Sequence, residues 1–278
     1  MNRPPAPAGL VAWGLERAPF EGAADPDFFF PSEGHAEALA RLEYLARERG
    51  AQLGLLTGEI GCGKSLVRAL FAAASAPFRL VAQLTSSHYP WVELLREALG
   101  QLGAADFSST AGERELVARL QRIAEARAVP IVLLFDEAQE LTLEALVGMR
   151  ALINLADGRL EMKLVLVGQP ELRRRLLELP QLDQRAGLRF HLRPLDPAQT
   201  SAYLECRLRA AGHPTGQLFS PEAVTVLASG TRGVPREINR VARLALAVAA
   251  SHGAVAVGPG EIRTVLLDLE RQRGGSEA

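Results

Sequence analysis

Lysine is almost missing from this chain: of its 31 basic residues only Lys64 and Lys163 are lysine, leaving 29 arginines. Any lysine that stands in a functional pattern therefore carries weight. Cysteine is scarce as well. Cys62 and Cys206 are too few for a disulfide framework, which excludes a stapled secreted scaffold and predicts a reducing, cytoplasmic setting. No apolar run approaches the roughly 20 residues that span a bilayer. The start, Met1 to Gly9, is proline-rich rather than a charged segment followed by an apolar one, so neither export nor membrane insertion is predicted. An excess charge of one sign is lacking too. With 31 basic against 32 acidic residues, the net charge of -1 gives no global field for nucleic acid or anionic lipid, and such a partner must be met by a local patch.

What is present is an ordinary globular balance, 48% hydrophobic and 23% charged, which excludes wholesale disorder. A length of 278 residues suits one large domain or a core with a smaller companion. The first 30 or so residues, with Pro4, Pro5, Pro7, Pro19, Pro26 and Phe28-Phe29-Phe30, read as an extended arm laying aromatics onto something else. Ser32 then caps an amphipathic helix that ends near Gly50. Beyond it, short apolar runs alternate with helical patterns: Leu53 to Thr57, Leu80 to Leu84, Ile131 to Phe135, Leu164 to Gly168 and, more weakly, Leu188 to Leu192. Repeated βαβ units of this kind predict an α/β fold, a parallel sheet with helices on both faces and ligands at the carboxyl ends of its strands. After Pro194 only helical patterns remain, three of the four opening on proline. The expected organisation is an arm and helix over 1–51 packing on the core, an α/β domain over 52–194 and a small all-α domain over 195–278.

Directly after the first strand stands Gly58-Glu59-Ile60-Gly61-Cys62-Gly63-Lys64-Ser65, opening into a helix at Leu66. The spacing is that of a P-loop. Its glycines let successive backbone N–H groups turn inward around phosphates, where a Cβ would obstruct, and the following helix points positive charge at the anion. Lys64 is expected to reach the β- and γ-phosphates of ATP, and Ser65 to ligate Mg²⁺. Cys62 is either a filler of the loop or a thiol activated by the helix N-terminus.

The third strand ends in Asp136-Glu137. Two acids at a strand's carboxyl end either begin a solvated loop or divide the work of a nucleotide site, Asp136 holding Mg²⁺ and Glu137 accepting a proton from the attacking water. A small-molecule kinase has no need of the second acid, so the pair favours hydrolysis over transfer. Gln169, at the exit of the fourth strand, either orients that water or merely turns the chain. Arg185, just before the fifth strand, is either a solvated surface arginine or one offered to a neighbouring subunit's nucleotide, and Arg236, in the first turn of a helix in the small domain, is either solvated or a reporter of nucleotide state. Arg173-Arg174-Arg175 is either a solvated helix face or a set of DNA-phosphate contacts.

With these residues assembled, the chain resembles the AAA+ ATPases, and within them the ExeA/GspA-type secretion ATPases. The likeness runs through Pro19-Phe20, Asp25-Pro26-Asp27-Phe28, Ser32-Glu33-Gly34-His35, the loop Gly58 to Ser65 and Phe135-Asp136-Glu137-Ala138-Gln139. It continues through Val167-Gly168-Gln169-Pro170-Glu171-Leu172, Asp183-Gln184-Arg185 and Gly233-Val234-Pro235-Arg236-Glu237-Ile238-Asn239. The resemblance implies a three-layer α/β/α core of strand order 5-1-4-3-2 with a helical lid, and ATP bound between subunits of a homo-oligomeric ring or filament. It also implies Gln169 as the sensor at the fourth strand, Arg185 as the finger acting in trans and Arg236 as the lid sensor. Secretion ATPases of this type continue into a transmembrane segment and a periplasmic peptidoglycan-binding part, and neither lies in these 278 residues. The same module also resembles the TniB-type transposition ATPases, which bind DNA as assemblies. The expected function is ATP hydrolysis coupled to assembly or remodelling of a protein partner, with an ATP-switched DNA-binding assembly as the alternative.

Overall fold

The computed structural model describes residues 13–21, 25–48, 50–76, 79–85, 88–104, 106–127, 129–156 and 162–274. The prolines at 4, 5 and 7 lie outside them. The five apolar runs form five strands, β1 (Leu53–Gly58), β2 (Leu80–Leu84), β3 (Ile131–Phe135), β4 (Met162–Gly168) and β5 (Ala186–Leu192). All pairings are parallel and the order is β2-β3-β4-β1-β5, the order the resemblance implies. Every residue of β1, β3 and β4 is buried, as interior strands covered on both faces must be, whereas β2 and β5 at the edges alternate with half-exposed positions.

Because successive side chains on a strand face opposite ways, each face has its own cover. Leu53, Leu55, Leu133, Phe135, Leu164 and Leu166 enter one core with α3 (Trp91–Gln101), α4 (Glu113–Arg127) and α5 (Leu143–Ala156), joined by Leu172 and Leu176 of α6 (Glu171–Leu177) and Leu182 of α7 (Pro180–Asp183). On the other face α2 (Lys64–Ser75) contacts β1, β2 and β4. Lys163, buried on β4, donates from Nζ to the carbonyls of Ala51 (2.7 Å) and Glu48, fastening to the sheet the chain that follows α1 (Glu33–Arg47). One of the two lysines is thus spent on two backbone carbonyls. The helix after β4 stops at Leu177, and α7 follows as a separate turn because Pro180 fits a helix start but not an interior.

Trp91, 1% exposed, stacks on Phe135 and donates its indole N–H to Glu113 (3.0 Å). Its ring lies where a side chain on Gly148 of α5 would project, with indole atoms 2.3–2.5 Å from that Cβ position. Helix propensity alone would favour alanine at 148 by about 1 kcal/mol. Overpacking against a ring with nowhere to move costs about 1–3 kcal/mol, so Gly148→Ala should lower the midpoint of thermal unfolding by several degrees rather than raise it.

The second compact unit combines the described part of 1–33, Gly61–Gly63 and the chain from Arg193 onward. It contains α8 (Pro197–Ala210), α9 (Pro221–Thr231), α10 (Pro235–Ser251) and α11 (Pro259–Gly274), so proline opens all four helices rather than three. Asp196 and Gln199 form a capping box and Ser220 caps α9. Trp13, Leu15, Phe20 and Phe28 pack with Leu204, Leu208, Leu227, Ile238 and Val241 of these helices. The guanidinium groups of Arg17 (4.5 Å) and Arg207 (4.8 Å) both lie over the Phe28 ring. Buried Arg207 also donates to the carbonyls of Pro19 (2.5 Å) and Glu21 (3.0 Å). The arm and the first helix therefore part company: the arm's aromatics join the C-terminal helices, while α1 stays with the sheet. Cys206 sits in this unit, where burial pushes its thiol up, and Cys62 and Cys206 form no disulfide.

Candidate functional site

The loop after β1 is shaped by two glycines in the left-handed region, Gly61 (φ 87°) and Gly63 (φ 97°), a backbone that residues with a Cβ rarely adopt. Lys64 opens α2 with its side chain buried and curled over the loop, Nζ donating to the carbonyls of Gly58 (2.8 Å) and Glu59 (3.0 Å). Ser65 is exposed in the first turn, which carries no acidic residue to oppose the positive end of the helix. Cys62 is fully buried and Ile60 is exposed. Within the unit that includes Gly61, the backbone N–H of Arg236 donates to the Gly61 carbonyl (3.2 Å), and a Cβ at Gly61 would stand 2.7 Å from that of Arg236. The Arg236 side chain is exposed.

The acid pair follows from where the β2–β3 ladder ends. The Asp136 N–H donates to the Leu84 carbonyl (2.8 Å), extending the pairing by one residue and leaving the carboxylate at the carboxyl end of the sheet. Asp136 is buried; its Oδ1 accepts the Glu137 N–H (3.0 Å) and its Oδ2 lies 3.2 Å from Nε of Arg68, one helical turn beyond Lys64. Arg68, which the sequence reading did not single out, balances charge on a carboxylate that would otherwise be costly to bury. Asp136 and Ser65 are hard oxygen donors, a set that fits Mg²⁺ with its remaining positions filled by phosphate and water. Among the described residues no group of three or more His, Cys, Asp or Glu is arranged to hold a metal by itself.

Glu137 is exposed and left-handed (φ 47°, ψ 40°), an unusual state for a residue with a long side chain. Gln139 donates from Nε2 to its Oε2 (2.7 Å), and Gln139 Oε1 accepts the backbone N–H of Gln169 (3.0 Å) at the end of β4. The register pairs Thr57 with Gly168 and Phe135 with Leu166, so Gly58, Asp136, Glu137 and Gln169 lie together at the carboxyl ends of the strands. Arg175 turns inward to the carbonyls of Gln139 and Leu141 (2.6 Å to the latter), and Arg174 pairs with Glu171 at the surface. The arginine run is therefore not three equal phosphate contacts.

Arg185 is not brought to this end of the sheet. It is exposed and precedes β5, whose register pairs Ala186 with Leu53 and Leu192 with Gly58. Arg185 thus stands at the end of the sheet opposite the loop, about 20 Å away along the strands at 3.3 Å per residue.

Residues 47–176, a little under half of the chain, match a family described as AAA domain. Over 256 residues the chain is 33% identical to general secretion pathway protein A of Aeromonas hydrophila, covering 90% of this chain and 46% of that protein. It therefore spans about half the length of the curated relative. Among solved structures, the ORC2 protein of Aeropyrum pernix in its ADPNP-ADP complexes has a TM-score of 0.71 at 18% identity, covering 90% of this chain and 71% of the other. The ORC1 protein of Aeropyrum pernix in complex with DNA has a TM-score of 0.63 at 20% identity, covering 90% and 69%. These two likenesses concern the fold. No described helix is long and apolar enough to cross a membrane. Sheet order, loop, acid pair and family match agree: the chain carries an AAA+ P-loop ATPase module related to that of general secretion pathway protein A.

Proposed function

We propose that the chain hydrolyses ATP to ADP and phosphate as an assembly of identical subunits, and that the cycle drives assembly or remodelling of a protein partner in the manner of a secretion ATPase. The observation that carries this reading is the meeting of a glycine loop holding a buried lysine with an Asp-Glu pair at the carboxyl ends of the strands. In the reaction, a water oxygen attacks the γ-phosphorus, the bond from that phosphorus to the bridging oxygen breaks and ADP leaves. Glu137 takes the water's proton. Lys64 exchanges loop carbonyls for phosphate oxygens, and the residues Gly58 to Leu66 supply the cradle. Ser65 and Asp136 would hold Mg²⁺, which would supply charge neutralisation at the phosphates. Gln169 orients the water, Arg236 contacts the nucleotide from the helical unit, and Arg185 serves a neighbouring copy.

A second reading is an ATP-switched assembly on DNA, of the TniB type, and it draws on the fold shared with an ORC1 protein solved on DNA. One experiment separates the two: ATP hydrolysis by the purified chain, titrated over protein concentration with and without duplex DNA. The expected result is a rate per subunit that rises with concentration. Insensitivity to DNA would accompany a protein partner, and stimulation that collapses with salt would favour the second reading. A rate per subunit that stays flat would remove the shared-interface mechanism.

A further inference from the structure

We propose that Gln139 is a positioning residue that sets the Glu137 carboxylate and ties it to the end of β4 at Gln169. The inference rests on the reading of Glu137 as the proton acceptor. The Gln139 amide bonds in two directions at once, to Glu137 Oε2 (2.7 Å) and from the Gln169 N–H (3.0 Å). Its orientation has no alternative: a backbone N–H only donates, so the amide oxygen must face Gln169 and the NH₂ must face the carboxylate. The main chain of Gln139 is itself pinned, because Arg175 reaches its carbonyl and that of Leu141. β4 is built to admit the amide, since a Cβ on Gly168 would stand 2.6 Å from Gln139 Oε1.

Glu137 needs such a hold. A left-handed residue with a long side chain persists only where its surroundings fix it, and here the fixing bonds come from Asp136 Oδ1, the turn at Glu140 and Gln139. With Oε2 engaged by Gln139, the other carboxylate oxygen is the one to take the proton. A displacement of Gln169, the residue that meets the reacting water, is transmitted through one amide to the base. Gln139 need not touch substrate to do this.

The test uses the full chain and compares Gln139→Met, which loses both bonds, with Gln139→Glu, which keeps an acceptor for the Gln169 N–H but loses the donor to Glu137. A third variant, Gly168→Ala, displaces the amide without changing its chemistry. All three should lower kcat by about tenfold or more while KM and ATP affinity stay within about twofold. Gln139→Met combined with Gly168→Ala should lose no more than the worse single variant, as two lesions in one linkage do. Wild-type kcat in Gln139→Met, or losses that add and are matched by falls in ATP affinity and unfolding temperature, would overturn the proposal. Glu137→Gln measured alongside separates the two failures. If that variant turns over normally, the base assignment fails and this inference with it; if it is inactive while Gln139→Met is normal, only the linkage fails.

Discussion

Glu137→Gln should bind ATP as the wild type does and lose turnover by about 10²–10⁴-fold, the usual contribution of a positioned general base. The substitution conserves length and shape and removes the ability to take a proton. The amide oxygen can still accept from Gln139 Nε2, so the bond that fixes the side chain survives. The glycine loop and Lys64 are left untouched. An ATP-bound assembly should therefore accumulate, visible as a larger species in sedimentation when ATP is added, together with wild-type affinity in a nucleotide titration. Lys64→Ala should behave differently and lose affinity first, because it removes the charge that meets the phosphates. A Glu137→Gln variant with wild-type turnover would sink the assignment of the base and leave Asp136 and Lys64 as the nucleotide site alone.

Sequence reasoning proposes those parts of the candidate site whose chemistry is local. The loop from Gly58 to Ser65 declares itself in eight contiguous residues, and Asp136-Glu137 is announced by five buried apolar residues before it. The linkage through Gln139 was not legible, because it depends on where the ends of β3 and β4 come to lie, 30 residues apart in the chain. Nor does anything around Glu137 advertise a left-handed backbone, which usually falls to glycine or asparagine. Arg68 was lost among 29 arginines and Arg175 was read only as part of the run Arg173 to Arg175; the fold shows one beside Asp136 and the other turned inward. The sequence reading laid the arm on the core, whereas its aromatics pack with the C-terminal helices. Hydrophobic surface carries no address, and the choice of the C-terminal helices depends on specific partners such as Arg207.

Arg185→Ala should leave ATP binding intact and reduce turnover by about 10³–10⁵-fold, the scale on which an arginine finger stabilises the transferred phosphoryl group. Within one chain the residue has no route to the nucleotide, since it lies beside the end of β1 that begins at Leu53 and the loop follows the end at Gly58. A large effect on catalysis must then pass through a second copy. The backbone bond from Arg185 N–H to the Leu182 carbonyl and the pairing of Asp183 with Arg189 do not use the lost side chain, so β5 should keep its place. Mixing gives the decisive readout. An Arg185→Ala subunit keeps an intact loop, and a Lys64→Ala subunit keeps an intact Arg185. Head-to-tail contacts between equal amounts of the two should recreate one complete site in four, about a quarter of the wild-type rate, although neither variant hydrolyses ATP alone. If the variants assemble together and stay inactive, Arg185 does not act across the interface, and the charge that meets the γ-phosphate must come from within the chain, where Arg236 is the next candidate.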